Sequence, residues 1–170
     1  MGRDKAALPW GGGVLLDHMV ALLSTTVEHV RVVGRDELPD RVPGHGPLGG
    51  ILTALDVTDT EENLIVAVDL PLLTPEFLRA FYDRFLMSPR PLLACQVEDR
   101  FPLCLGVRRA LRPEIQRRME GRRLSIQDLI ASVQSELLGE SFLTKLNVDA
   151  SIFANVNSPE DWARLQKLNP

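Results

Sequence analysis

Leu64-Ile65-Val66-Ala67-Val68-Asp69 is a continuous apolar run closed by a carboxylate. Strands covered on both faces of a parallel sheet have this composition. The run therefore predicts a buried strand over 64–68, with Asp69 at the carboxyl edge of the sheet, where open α/β sheets bind their ligands. Thr74-Pro75-Glu76 follows and reads as a helix start, with Thr74 as the cap and Pro75 in the first turn. Phe77, Leu78, Phe81 and Phe85 then mark one buried helix face.

The same alternation extends outward. Val14-Leu15-Leu16 with Met19-Val20 and Leu22-Leu23 has helical spacing, and Val30-Arg31-Val32-Val33 reads as a strand closed by Gly34. The Pro- and Gly-rich stretch 36–50 reads as a loop, with a short helix from Ile51. Beyond Phe85, the runs 91–97 and 101–107 flank Glu98-Asp99-Arg100 and predict a hairpin. Helices are expected over 109–119 and from Ser125, where Ser125 and Asp128 have nearly capping-box spacing. A strand is expected around 142–146. Ser158-Pro159-Glu160-Asp161 then opens a last helix with a cap, a proline and two acids at its positive end. Strands alternating with helices define an α/β class with a mostly parallel sheet and one antiparallel hairpin. At 170 residues the chain reads as a single domain, 1–170.

Composition narrows the function. The hydrophobic fraction is 45% and the charged fraction 25%, as in ordinary globular proteins. A net charge of −4 argues against a nucleic-acid-coating protein. The basic pairs Arg117-Arg118 and Arg122-Arg123 read as a solvated helix end. No apolar run reaches the ~20 residues of a membrane span, and no signal peptide is visible, so a cytoplasmic protein is expected. Cys95 and Cys104 lie in apolar runs and read as small buried hydrophobes in a reducing compartment. His18, His29 and His45 lack metal-ligand spacing.

Four places carry residue types suited to chemistry. In Met1-Gly2-Arg3-Asp4-Lys5, Gly2 and Lys5 combine a permissive backbone with an ammonium, which suits nucleotide phosphates; taken alone, the stretch is equally a solvated terminus. Asp69 can hold Mg²⁺, or simply cap the next turn. Gly46-Pro47-Leu48-Gly49-Gly50 lets a flat base or ribose approach the backbone, or makes a rigid turn before a helix. Asn155 and Asn157, two apart on an extended segment, face one side. Their amides suit phosphates or metal-bound water, or serve turn chemistry before Ser158.

Taken together, these segments resemble the molybdenum cofactor guanylyltransferase family. The resemblance rests on Met1-Gly2-Arg3-Asp4-Lys5, Gly46-Pro47-Leu48-Gly49-Gly50, Val66-Ala67-Val68-Asp69-Leu70-Pro71 and Asn155-Val156-Asn157-Ser158-Pro159-Glu160-Asp161, in that order. Phe101-Pro102-Leu103-Cys104 and Gly121-Arg122-Arg123-Leu124-Ser125 are similar to that family's hairpin and following helices. The resemblance implies a Rossmann-like nucleotidyltransferase fold. It also implies transfer of GMP from GTP to molybdopterin, giving the guanine dinucleotide cofactor and pyrophosphate. Lys5, with Gly2, would meet the nucleotide phosphates, and Asp69 would hold Mg²⁺. Gly46, Pro47, Leu48 and Gly49 would contact the nucleoside, and Asp40 matches a family aspartate. Asn155 and Asn157 would serve the pterin phosphate or the waters of the metal. Molybdoenzymes or cofactor chaperones are the implied recipients of the product.

The family's phosphate loop begins Leu-Ala-Gly-Gly at the end of a first strand, and both are missing before Met1. The chain is therefore expected to be inactive or severely impaired as it stands. Two alternatives stand beside this reading. One is a cytidylyl- or sugar-nucleotidyltransferase of the same fold. The other is a non-catalytic nucleotide-binding remnant.

Overall fold

Gly11 and Gly12 take positive φ values of 54° and 85°. A two-residue hairpin turn that follows the natural twist of its strands needs this pair of conformations, and glycine reaches them without a Cβ penalty. The turn joins β1 (Pro9–Trp10) to β2 (Gly13–Val14), paired antiparallel with Trp10 opposite Gly13. Sequence periodicity gave no sign of so short a hairpin. The computed structural model describes residues 4–35, 38–41 and 44–167. Gly2 lies outside the described residues.

The chain continues through α1 (Leu15–Leu23), α2 (Gly46–Val57), β3 (Glu62–Val66) and α3 (Pro75–Met87). Strands β4 (Leu92–Cys95) and β5 (Cys104–Arg108) follow, then α4 (Arg112–Glu120) and α5 (Ile126–Ser132). The remaining elements are β6 (Ser135–Leu138), α6 (Glu140–Lys145) and α7 (Pro159–Gln166). The class is α/β with a mixed sheet. The chain divides into two compact units. No described helix is long and apolar enough to cross a membrane.

The first unit comprises Met1–Val30, Val66–Asp83 and Gly139–Pro170. Its core is aromatic. Phe77 is fully buried and meets Phe153 and Phe142 edge-on, with centroids 5.2 and 6.4 Å apart. Edge-to-face pairs add to the burial of apolar area. The N-terminus of α3 is built as expected, because the Thr74 hydroxyl accepts the amide of Phe77 at 3.2 Å. Helix α7 starts on a complete capping box between Ser158 and Asp161.

Bonding with Ser158 holds the Asp161 carboxyl below its ordinary 3.8; desolvation opposes this, and the amides of Asn157 and Ser158 and the guanidinium of Arg164 add to it. The sign follows from the lowered value. The cap contributes fully above pH 3.8 and is lost as the pH falls through the lower folded value. The amide resonances of Asn157 and Ser158 are expected to titrate with a midpoint below pH 3.8. A midpoint at or above that value would show that the capping box does not form in solution.

The second unit comprises Arg31–Ile65 and Arg84–Leu138. Its sheet has the order β3-β5-β4-β6. Strands β4 and β5 are the expected antiparallel hairpin, with Leu93 opposite Gly106, and β4 runs parallel to β6. The bridge between Val97 and Arg100 closes the hairpin around Glu98. The core joins Leu48, Ile51 and Leu55 of α2 to Leu92, Leu105 and Ile115. Helix α5 starts where expected, with the Ser125 hydroxyl accepting the amide of Asp128 at 3.1 Å.

The structure corrects several expectations. Strand β3 begins and ends two residues earlier than expected, and Asp69 stands in the turn beyond it. The strand is an edge strand with half-buried residues rather than one covered on both faces. Val30-Arg31-Val32-Val33 forms no strand, because an extended segment becomes one only when a neighbour completes its hydrogen bonds, and none does so among the described residues. The stretch 46–50 is the first part of α2 rather than loop, with Pro47 in the opening turn, where the fixed φ of proline suits a helix.

The strand expected around 142–146 is helix α6. Phe142 and Leu146 are four apart, as on a helix face, and Glu140 and Lys145 suit the two ends of its dipole. The strand of that region is β6. Its Glu136 is held by Arg84 and Ser88. Arg118 is not solvated either. It is 4% exposed, and it donates to Glu114 at 2.8 Å and to Ser132.

Candidate functional site

Three distant stretches of the first unit meet at one ammonium. Lys5 opens a single 3₁₀ turn, Lys5–Ala7. The side chain of Asp4 caps that turn by accepting the amide of Ala6 at 3.2 Å, and Ala6 is buried beneath it. A short capped turn with one buried residue fixes the backbone of Lys5 at low cost. Its Nζ donates to Asp69 Oδ2 at 2.9 Å and to Asn157 Oδ1 at 2.7 Å.

Asp69 and Asn157 are fixed to each other through the backbone. The amide of Val156 donates to the carbonyl of Asp69 at 3.1 Å, and the Val156 side chain is fully buried. The amide of Asn157 donates to Asp161 at 3.2 Å, which ties the asparagine to the start of α7. Asn155 lies two residues back along the same extended segment, exposed, with no side-chain hydrogen bond among the described residues. The structure thus brings Lys5, Asp69 and Asn157 together, with Asn155 beside them in sequence and outside the hydrogen-bonded group.

The donor chemistry fits a hard divalent cation. Mg²⁺ takes oxygen ligands and commonly uses one or two carboxylates, completing its shell with water and substrate phosphates. Asp69 supplies a carboxylate whose side chain is 18% exposed, and Asn157 supplies an amide oxygen. No group of three or more His, Cys, Asp or Glu is placed to cage a metal among the described residues. A cation here would be of the kind completed by phosphates. His18 stands apart from this group, its Nε2 pairing with the carbonyl of Pro71 at 3.0 Å. An open, mostly apolar groove of about 540 Å³ runs past His18, Leu22, Thr25, Pro71, Leu73 and Pro75.

In the second unit, Asp40 and the start of α2 are linked by a residue that sequence reading missed. The Thr53 hydroxyl is fully buried and lies 3.2 Å from Asp40 Oδ1 and 3.0 Å from the carbonyl of Gly49, and it accepts the amide of Arg41 at 3.1 Å. Thr53 stands one turn after Gly49 and off the face formed by Leu48, Leu52 and Leu55, so apolar spacing carried no signal for it. Gly46 and Pro47 are exposed, whereas the Leu48 side chain is wholly in the core and Gly49 is buried. Only the backbone of Leu48 is left to face a ligand. Thr53→Val is expected to cost about 1–3 kcal/mol, because it removes the hydroxyl that accepts the Arg41 amide. Urea denaturation of Thr53→Val beside Thr53→Ser tests this, and equal midpoints for the two variants would refute it.

The two cysteines are free and buried. Burial pushes the Cys95 thiol up to about 12, and burial followed by the neighbouring Cys95 pushes Cys104 up as well. Neither is a nucleophile at neutral pH.

A lysine beside oxygens of the kind a hard cation takes, on an α/β chain of this order, is an arrangement that suits nucleotide phosphates. The chain belongs to the family of MobA-like NTP transferase domains, which matches its residues 1–137. The family is one of nucleotidyltransferase enzymes. The molybdenum cofactor guanylyltransferase of Xanthomonas euvesicatoria pv. vesicatoria is 34% identical over 179 residues, covering 100% of this chain and 89% of that protein. Among solved structures, molybdopterin-guanine dinucleotide biosynthesis protein A from Archaeoglobus fulgidus has a TM-score of 0.76 at 19% identity, covering 98% of this chain and 91% of that one. Rv0371c from Mycobacterium tuberculosis, solved in complex with manganese, has a TM-score of 0.68 at 17% identity, covering 98% and 93%. Both structures share the fold of this chain.

Proposed function

We propose that this chain transfers GMP from GTP to molybdopterin with Mg²⁺ as the cation. A phosphate oxygen of molybdopterin attacks the α-phosphorus of GTP. The new P–O bond forms as the bond to the bridging α–β oxygen breaks, and pyrophosphate leaves with the electron pair. The products are the guanine dinucleotide cofactor and pyrophosphate. Such a reaction needs alignment and neutralisation of charge more than a protein nucleophile.

The observation that carries this reading is the convergence of Lys5, Asp69 and Asn157. Asp69 would hold the cation, which when bound neutralises phosphate charge. Lys5 supplies a second positive charge to the phosphates. Asn157, with Asn155, orients the pterin phosphate or the waters around the cation. The segment Gly46, Pro47, Leu48 and Gly49 is assigned to the nucleoside, and Asp40 to a family aspartate of the binding site, on the strength of the family resemblance. Guanine is favoured over cytosine because the 34% identical relative bears the name of a guanylyltransferase. Molybdoenzymes or cofactor chaperones would receive the product. The cytoplasm is the proposed compartment, in keeping with two free buried cysteines.

The test is the melting temperature of the chain with Mg²⁺ and GTP against Mg²⁺ and CTP, followed by pyrophosphate release on adding molybdopterin. A ligand that prefers the native state raises the melting temperature. Stabilisation by GTP alone, with pyrophosphate released only when molybdopterin is present, is the expected result. Equal stabilisation by CTP, or none by either nucleotide, would overturn the proposal.

A further inference from the structure

One ammonium spans the two side-chain oxygens best suited to a cation. Lys5 Nζ lies 2.9 Å from Asp69 Oδ2 and 2.7 Å from Asn157 Oδ1. A magnesium ion bonds oxygen at about 2.1 Å, so a cation on Asp69 Oδ2 would stand against an ammonium already bonded to the same atom. We infer that Lys5 occupies the cation position in the nucleotide-free protein and admits a divalent ion only together with the phosphates that draw the ammonium away. The inference rests on the reading of Asp69 as the metal carboxylate.

The parts on either side of the swap differ in rigidity as this exchange requires. The oxygens belong to a locked frame, since Val156 is buried and its amide bonds to the carbonyl of Asp69. Lys5 is held at its backbone by the Asp4 cap and by the bond from the amide of Leu8 to its carbonyl. Its side chain is 31% exposed, on a flexible four-carbon stem. The ammonium can therefore swing while the frame stays in place.

The charge balance sets the order of events. Without nucleotide, moving Lys5 aside strips Asp69 of its partner and leaves two like-signed charges competing for one carboxylate. With a nucleotide, the phosphates accept the ammonium and share the cation. Metal and nucleotide then bind with positive coupling, and the coupling is reciprocal. Because Lys5 stays on Asp69 until the exchange, the carboxylate is never left bare in the empty protein, which avoids an unpaired, partly buried charge.

The test is titration of Mn²⁺ into the full chain without nucleotide, with free Mn²⁺ followed by electron paramagnetic resonance. Lys5→Met and Lys5→Gln, each checked for folding by circular dichroism, are expected to bind Mn²⁺ at least about ten-fold more tightly than the parent. Lys5→Arg keeps the charge and is expected to stay as weak as the parent. Added GTP is expected to tighten Mn²⁺ binding by a larger factor in the parent than in Lys5→Met. If the two neutral variants bind Mn²⁺ no more tightly than the parent, while Asp69→Asn still removes the GTP-dependent Mn²⁺ site, the inference fails and the proposed function stands. If Asp69→Asn leaves that site intact, the reading of Asp69 fails and takes the inference with it.

Discussion

Replacing Asp69 with asparagine is expected to abolish the part of the stabilisation by GTP that depends on a divalent cation. With GTP about 100-fold above its dissociation constant, the whole stabilisation by GTP amounts to about 2.7 kcal/mol in a parent that binds at one site, and the cation-dependent part is a share of it. Asparagine keeps the shape of the side chain and still offers Lys5 an oxygen to bond, so the frame made by the Val156 amide and the Asp69 carbonyl survives. What is lost is the charge that a hard cation needs. The measurement is the melting temperature of both chains with GTP, with and without Mg²⁺. An Asp69→Asn chain that gained as much from Mg²⁺ as the parent would remove Asp69 from the cation site.

The second large effect lies in the hairpin of the second unit. A Cβ added at Gly106 would come within 2.5, 2.7 and 2.8 Å of Cγ, Cδ2 and Cδ1 of Phe85. These atoms are the root of a fully buried ring, and the guanidinium of Arg108 lies over that ring, 5.3 Å from its centroid. The ring has nowhere to retreat without dislodging the cation–π contact or the end of α3. Gly106→Ala is therefore expected to cost about 1–3 kcal/mol, towards the upper end, from overpacking. Phe85→Ala alone is expected to cost about 3–5 kcal/mol through the cavity it leaves. In the double variant the alanine methyl fills part of that cavity, so the combined loss should be less than the sum. Urea denaturation of the three variants checks this, and a Gly106→Ala loss within about 0.5 kcal/mol of zero would show that the ring is not clamped.

How much of this was legible in the chain depended on whether the signal was local. The starts of α3, α5 and α7 could be read because each combines a hydroxyl cap with residues that act within one turn, as Ser158, Pro159 and Asp161 do. The face of α3 could be read because Phe77, Phe81 and Phe85 repeat every four residues. The hairpin of β4 and β5 could be read because two apolar runs flank a short polar turn. Val30-Arg31-Val32-Val33 has the same β-branched character, yet pairs with no described strand. Strand β6 went unseen because Glu136 breaks its apolar pattern, and only Arg84 and Ser88, some fifty positions away in sequence, make that carboxylate acceptable there. The stretch after it, 142–146, reads as a strand from composition, yet it lies in and just beyond helix α6, where Phe142 meets Phe77 edge-on.

The candidate site divides in the same way. Lys5, Asp69 and Asn157 could each be nominated from residue type and local setting, because an ammonium, a post-strand carboxylate and an exposed amide are recognisable one at a time. By itself the sequence determined the family, the α/β class and the identity of these groups. Only the tertiary structure decided that one ammonium bridges the other two, that Thr53 joins Asp40 to α2, and that Leu48 belongs to the core. The reason is physical. Caps and helical periodicity act over a few residues and are written in spacing, whereas a bond between residues 5 and 157 exists only after burial of Val156 and the turn at Asp69 have brought their backbones together.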